Sequence, residues 1–490
     1  MDMTDTAYEA IKVRDARFDG RWFVGVTSTR IYCRPICRVR TPKRENCRIF
    51  ETPAQAEAAA FRPCLKCRPE IAPGPGLAWS VMDASRTLAH QAAQWLDAHA
   101  HAGDGDGAPS LVALARHLGV SDRHVRRIFA AEHGVTPLQY LQTRRLLLAK
   151  QLLTDTRMPV AQIALASGYH SLRRFNAAFV ESYRFSPSRL RDEAASDAPN
   201  DGDGVHITLN FREPLNRAAL LRFLAQRAIP GIEHVDGLRV RRTLRAGVVG
   251  EKAGWLEAAF AADKPQLHLH FSPSLTVVTG PLLHAVRRWL DLDADAQTVD
   301  AALRDLPGNS GLRLPGSMDA FELAVRAVLG QQVTVAAART LARRVVERFG
   351  APIATPWPEL DRTFPAPEAL AAAPIERVAE LGVIRARAAA LIALAQAWGD
   401  LAPLLSAHAA PAPLIERLCA LPGFGAWTAH YIAMRALGWP DAFPPGDVAV
   451  LKALGLGKGA AAVRAAEQRS QAWRPWRAYA VIKLWNSLET

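Results

Sequence analysis

Four cysteines and one aspartate stand where they could do chemistry. Cys33 and Cys37 lie in Ile-Tyr-Cys-Arg-Pro-Ile-Cys-Arg, and Cys64 and Cys67 in Phe-Arg-Pro-Cys-Leu-Lys-Cys-Arg. Cys-x3-Cys followed by Cys-x2-Cys is ligand spacing for a closed tetrahedral zinc site, because each short pair can bring two sulfurs to about 2.3 Å from one metal. Around them run Arg30, Arg34, Arg38, Arg40, Lys43, Arg44 and Arg48, against Glu45 alone. Such positive charge lowers thiol pKa and attracts polyanions, so the thiolates are expected beside a phosphate-binding surface. The plainer reading is a structural zinc ribbon whose metal replaces a small core. Cys47 and Cys419 lack paired neighbours and read as small apolar packing residues. Asp447, in Phe-Pro-Pro-Gly-Asp-Val-Ala-Val-Leu, follows a Leu-Pro-Gly-Phe-Gly turn at 421–425. Its glycines permit a tight helical hairpin, and the amides at the next helix start can hold a phosphate. Alone, an aspartate in this setting is an N-cap more often than a catalyst.

The elements that must position these residues follow from periodicity. Residues 111–129 read as a helix, a turn at Gly119 and a second helix capped by Ser121. The pattern recurs over 160–179 about Gly168, giving two helix-turn-helix units with a long helix between them. Their second helices carry Arg123, His124, Arg126 and Arg127, then His170, Arg173 and Arg174. Next, Val205, Ile207, Leu209 and Phe211, like Leu267, Leu269 and Phe271, alternate with polar residues as half-buried antiparallel strands do. Helices near 217–227 and 282–290 complete a small α+β unit. His268 and His270 share a strand face, but with no third ligand in sight they read as exposed polar residues. From about residue 300 the pattern is helical. A Gly/Asp/Ala-rich stretch at 101–109 reads as a loop. Residues 192–204 contain five acids and no Lys or Arg, the composition of a flexible linker.

Composition bounds the partners. With 490 residues and 49% hydrophobic content, three or four domains are expected. The net charge of +13 points to nucleic acid before an anionic membrane. No run reaches the roughly 18 apolar residues of a membrane helix, and no signal peptide is read ahead of Asp2 and Asp5. Thiolate ligands require reducing conditions, so a cytoplasmic location is expected.

Three resemblances join these features. Residues 8–75 resemble the amino-terminal domain of the Ada family of alkylation-response proteins, through Phe-Asp-Gly-Arg-Trp-Phe-Val, the two cysteine motifs and Arg-Glu-Asn. The resemblance implies that Cys33 is both a ligand of one Zn2+ and the acceptor of a methyl group from a DNA methylphosphotriester. It also implies that Thr29, Arg40 and Arg62 contact the DNA backbone. Arg30 stands where that family usually carries glycine. Residues 84–192 are similar to the AraC-type regulator domain, whose two units enter successive major grooves. Residues 205–490 resemble the helix-hairpin-helix DNA glycosylases, with the AlkA-type 3-methyladenine glycosylases nearest, through the hairpin, Asp447, Val-Leu-Gly-Gln-Gln-Val at 328–333 and Trp-Arg-Pro-Trp-Arg-Ala-Tyr-Ala at 473–480. By that match Asp447 is the catalytic carboxylate, Trp427, Tyr431, Trp485 and Phe223 line the base pocket, and Gln332 wedges into the emptied stack. Gly423 and Gly425 shape the DNA-binding hairpin, whose carbonyls at Leu421, Gly423 and Phe424 would bind a monovalent cation. Val448 replaces an aromatic found in some relatives. Relatives that cut the backbone use a lysine where this chain has Trp427, so a glycosylase without lyase activity is expected.

The chemistry is coherent. Cationic alkylpurines leave without a general acid, aromatic faces attract them once flipped, and a single carboxylate suffices. The expectation is a multidomain, mainly α protein with α+β parts: a zinc-binding methyl-acceptor domain at 1–78, a double helix-turn-helix at 84–192, a linker at 193–204, an α+β domain at 205–300 and an all-α glycosylase domain at 301–490. It would sense alkylated DNA, activate transcription at promoter DNA in contact with RNA polymerase, and excise alkylated purines, as a monomer. The Pro-Cys-His-Arg motif of the O6-alkylguanine transferases is missing. The rival expectation is a zinc-dependent transcription regulator whose glycosylase-like half is inactive.

Overall fold

The cysteine pairs are carried by four short strands: β1 (Phe23–Val26), β2 (Ile31–Cys33), β3 (Cys47–Phe50) and β4 (Arg62–Pro63). Their order is β3-β1-β2-β4. They belong to a computed structural model that describes residues 7–8, 11–14, 18–72, 84–100, 109–156, 158–194, 204–405 and 411–488. Most of the loop expected at 101–109 and of the linker expected at 193–204 lies outside the described residues. The chain divides into two units, Met1–Glu213 with Asp263–His284 and Pro214–Ala262 with Ala285–Thr490. The strands expected over 205–300 are shared between them.

In the first unit β1 pairs antiparallel with β2 and β3, while β2 pairs parallel with β4. Phe23, Tyr32, Phe50 and Phe61 form a buried aromatic layer, joined by Ala56 of the helix Pro53–Ala58. Thr52 and Gln55 close a capping box on that helix and Pro53 opens it. The two expected helix-turn-helix units are present as Leu111–Leu118 with Asp122–His133 and Val160–Ala166 with Leu172–Tyr183, joined by Pro137–Asp155. Ser121 and Ser171 accept hydrogen bonds from the amides of His124 and Arg174 at 3.2 and 3.4 Å, so both second helices start at a capped turn. At Gly168 φ is +81°, and a β-carbon would lie 2.5 Å from the Ala100 carbonyl oxygen, which excludes any other residue. Phe175, Phe179 and Tyr183 recur every fourth residue and pack in succession, each aromatic pair contributing about 1 kcal/mol beyond its buried area. β5 (Val205–Asn210) and β9 (Gln266–Phe271) form the expected antiparallel pair, with Ile207 opposite Leu269.

In the second unit β6 (Glu233–Asp236), β7 (Arg239–Leu244) and β8 (Gly254–Phe260) form an antiparallel meander. The rest is helical. The helix Ala320–Leu329, almost wholly buried, carries only Glu322 and Arg326 among apolar residues and packs on Val335–Phe349, Arg385–Gln396 and Ala426–Ala436. Asp319 caps it, accepting from the Phe321 amide at 2.9 Å, and Arg245 clamps the same carboxylate at 2.6 and 3.1 Å. The architecture is mainly helical with two small strand-bearing parts, as expected from the periodicity. No single helix among the described residues is long and apolar enough to cross a membrane.

Candidate functional site

Parallel pairing of β2 with β4 sets Cys33 beside Cys64, whose amide donates to the Tyr32 carbonyl at 2.9 Å. A turn closed by the Cys37 amide on the Arg34 carbonyl (3.1 Å) brings Cys37 back, and the Arg34 amide donates to Cys67 Sγ at 3.3 Å. All four sulfurs lie within 4.8 Å of one another, which suits a tetrahedral zinc with sulfurs about 3.8 Å apart. Without a cation they cannot all be thiolates. Hydrogen bonding with Cys37 pushes Cys33 far up, while the same bond lowers Cys37 to about 7. A divalent ion replaces the shared protons, so the donor set fits zinc.

The basic run divides in two. Arg38, Arg40, Lys43 and Arg48 are exposed, as are Thr29 and Arg30, and Arg62 is half-buried. Arg34, expected to add to the anion-attracting surface, does not: it is 2% exposed and makes a bidentate pair with Asp19 while donating to the Cys67 carbonyl at 3.1 Å. Its charge braces the cysteine loop instead. Arg30 adopts φ +55°, the conformation that favours the glycine of relatives, and spreads over the Phe61 ring at 5.4 Å. Cys47 is buried, its thiol pushed up by that burial. Cys419, expected as packing, is exposed at the end of the helix Pro411–Cys419, one residue past the buried Leu418.

The cysteine loop is bonded to the long helix that joins the two helix-turn-helix units. Lys150, fully buried within Pro137–Asp155, pairs with the fully buried Glu70 carboxylate and donates to the Cys64 carbonyl at 3.4 Å. Arg68 reaches Glu70 at 3.0 Å, Asp155 at 2.5 Å and Thr154 at 2.9 Å. Higher on the helix, Thr143 and Tyr32 both donate to Glu57, whose burial raises its carboxyl to about 7. A lysine inside Leu-Leu-Leu-Ala-Lys-Gln-Leu-Leu was the available signal for this contact. Arg123, Arg126, Arg127, Arg173 and Arg174 are exposed on the second helices, whereas His170, expected on one of them, is exposed in the turn just before its Ser171 cap. His206 lies opposite His270 on β5, rings stacked at 4.0 Å, an arrangement the linear sequence did not reveal.

In the second unit the hairpin turns at Gly423, where φ is +80° and a β-carbon would fall 2.9 Å from Ala390. Gln331 fastens it, donating to the Gly423 carbonyl at 2.9 Å and to Thr428 at 3.0 Å. Beside it opens a cavity of about 1170 Å³. Phe223, Trp427, Tyr431, Trp485 and Asp447 all line it. Trp427 stacks on Tyr431 with centroids 5.2 Å apart, and Phe223 lies nearly parallel to Trp485 at 6.5 Å. Asp447 caps Val448–Ala453 by accepting from the Val450 amide at 2.9 Å. Its two oxygens also accept from the indole N–H groups of Trp427 and Trp485 at 2.9 and 3.0 Å. An ordinary cap needs no such clamp; this one aims a 7% exposed carboxylate into an aromatic cavity. Gln332 is exposed at the rim with φ +54°, an unfavourable conformation held beside the cavity. Val448, 72% exposed, leaves the rim open where an aromatic ring would narrow it.

Sequence reasoning missed Arg227, Arg326 and Arg435, which also line the cavity. Arg227 lies 3.7 Å above Phe223, and Arg435 donates to the Tyr431 hydroxyl at 2.8 Å. Burial pushes Tyr431 up, but Arg435, then Arg227 and Arg326, outweigh it and the net shift is downward.

The chain matches the metal binding domain of Ada over residues 6–70, a helix-turn-helix domain over 114–193, the AlkA N-terminal domain over 206–319, and the HhH-GPD superfamily base excision DNA repair proteins over 325–478. It is 36% identical, over its whole length and 97% of the relative, to the "Probable bifunctional transcriptional activator/DNA repair enzyme AlkA" of Mycobacterium tuberculosis. Over 57% of its length it is 37% identical to 96% of "DNA-3-methyladenine glycosylase 2" of Escherichia coli. Over 41% it is 29% identical to 89% of "Bifunctional transcriptional activator/DNA repair enzyme AdaA" of Bacillus subtilis.

Proposed function

The chain belongs to the AlkA-type family of bifunctional transcriptional activator/DNA repair proteins, and on that premise we propose that it senses alkylated DNA through Cys33 and excises alkylated purines through Asp447. The observation that carries the second half is the Asp447 carboxylate held by two indole N–H groups inside an aromatic cavity. A flipped cationic purine stacks against Trp427, Tyr431, Trp485 and Phe223. Its C1′–N bond breaks with both electrons leaving on the base, which becomes neutral. Asp447 stabilises the oxocarbenium left on the sugar until water adds to it. Trp427 offers no amine for a Schiff base, which supports hydrolysis without strand cleavage. The exposed rim with Gln332 and the hairpin with Gly423 and Gly425 suit DNA binding. The hairpin carbonyls of Leu421, Gly423 and Phe424 offer hard oxygen ligands for a monovalent cation.

At the other end, Cys33, Cys37, Cys64 and Cys67 would hold zinc, which keeps thiolates deprotonated at neutral pH. Cys33 attacks the methyl carbon of a methylphosphotriester and the phosphodiester leaves with the bonding pair, a single transfer without turnover. Loss of one negative charge on sulfur strengthens attraction to DNA, where Thr29, Arg40 and Arg62 face the backbone and Arg123, Arg126, Arg127, Arg173 and Arg174 enter the grooves. Promoter binding then leads to contact with RNA polymerase. The domain limits proposed are 1–78, 84–192, 193–204, 205–300 and 301–490, in a monomeric cytoplasmic protein. Two assays test the reading. Methylated DNA should lose 3-methyladenine to the wild-type chain and not to Asp447→Asn. Mass spectrometry after exposure to methylphosphotriester DNA should show one added methyl on Cys33; an unmodified Cys33 in zinc-loaded protein overturns the sensor half.

A further inference from the structure

Three arginines beside a cavity meant for cationic bases call for an explanation. Arg326 is balanced by Glu233 at 2.9 Å and Glu322 at 2.6 Å. Arg435 is not paired with a carboxylate. It is 6% exposed, and all three of its nitrogens donate: to the Pro315 carbonyl, to the Gly316 carbonyl at 3.2 Å and to the Tyr431 hydroxyl oxygen at 2.8 Å. A guanidinium has no acceptor, so Tyr431 receives this bond and its own hydroxyl hydrogen must point elsewhere. No acceptor for that hydrogen occurs among the described residues, and the ring lines the cavity. A half-buried hydroxyl oriented by a fixed cation is a ready donor to whatever enters.

Building on the base-excision reading above, we propose that Tyr431 donates its hydroxyl hydrogen to the extruded base, and that Arg435 is the positioning residue that turns that hydrogen into the cavity, so that together they govern the excision of uncharged purines. The charges explain why. A cationic purine becomes neutral as the C1′–N electrons move onto it, and a donor gains nothing. A neutral purine departs as an anion, so negative charge develops on the ring and a donor on a cationic support stabilises the transition state specifically. Tyr431 keeps its proton throughout. The water that adds to C1′ releases the proton that neutralises the freed base. The downward shift of Tyr431 beside Arg435, Arg227 and Arg326 makes it a stronger donor.

The test compares duplexes carrying hypoxanthine, a neutral leaving base, with duplexes carrying 7-methylguanine, a cationic one. Tyr431→Phe keeps the stacked ring and removes only the hydroxyl. It should lower kcat for hypoxanthine about tenfold more than for 7-methylguanine, with KM changing far less, as loss of a transition-state hydrogen bond requires. Arg435→Met should give the same selective loss. Tyr431→Phe/Arg435→Met should be no worse on hypoxanthine than Tyr431→Phe, because both act through one hydrogen. Equal losses on both bases, or additive losses in the double variant, overturn the proposal. So does a wild-type chain that excises 7-methylguanine and leaves hypoxanthine untouched. Failure on 7-methylguanine itself would instead sink the underlying glycosylase reading.

Discussion

Replacing Lys150 by methionine should loosen the cysteine loop from the regulator helix. The lysine side chain is 1% exposed and its partner Glu70 is 0% exposed. Methionine fills the space but leaves Glu70 with Arg68 alone, which is 25% exposed and shared with Asp155. Breaking a buried pair by removing one partner costs about 3–5 kcal/mol, and the surviving Arg68 contact places this case near ~3 kcal/mol. The assay is urea unfolding of the zinc-loaded full chain, followed by zinc release to a coloured chelator, which reports the unit containing the four cysteines. Glu70→Gln in the Lys150→Met background should recover most of the loss by removing the stranded charge. The pH dependence is a second readout. Burial pushes Glu70 up, but Lys150 and then Arg68 outweigh it and hold the carboxyl below its usual value. Its contribution is therefore present above the unfolded carboxylate pKa and disappears as pH falls through the folded one. In Lys150→Met, Glu70 takes a proton more readily, so the gap from wild type should narrow as the solution is acidified. A variant within about 0.5 kcal/mol of wild type, or a Glu70→Gln change that adds its own full loss, refutes the reasoning.

Glu57 should act with the opposite sign. Its folded carboxyl titrates near 7 against an ordinary 4.5, so the folded state binds the extra proton and this group's contribution falls as pH rises across that interval, by about 3 kcal/mol in all. Subtracting the unfolding profile of Glu57→Gln from wild type between pH 4.5 and 8 isolates it, and a flat difference contradicts the burial argument. Asp447→Asn should abolish excision while keeping the helix cap, since asparagine caps as well as aspartate does and its one oxygen leaves only a single indole donor unmet. Asp447→Ala should also lose about 1 kcal/mol of cap energy and strand two indole donors, seen as a lower midpoint in the same scan. Arg173→Ala, on the exposed face of the second helix-turn-helix, should reduce the salt dependence of DNA binding by about one unit of log K per log salt. An unchanged slope would remove that face from the interface.

What could be read from the residues in order was whatever local spacing dictates. Ser121 and Ser171 cap their helices because a serine before an apolar period has few better uses. Four cysteines in two short pairs have little alternative to a common centre. Asp447 was legible as a cap from its neighbours, but its hold between two indoles depends in part on Trp485, which lies 38 residues away and no spacing rule connects to it. Burial was harder still. Arg34 and Arg40 belong to the same basic run, yet one lies inside the cysteine turn and is sealed against Asp19, while the other follows the turn and faces solvent. Lys150 and Arg435 make the same point from helices: each sits in an otherwise apolar stretch, where a charge survives only if a distant carboxylate or set of carbonyls meets it. A charged residue at an apolar position therefore announces that a partner exists without naming it. In this chain the partner of Lys150 ties the cysteine centre to the helix between the two helix-turn-helix units, and that of Arg435 includes a tyrosine of the aromatic cavity.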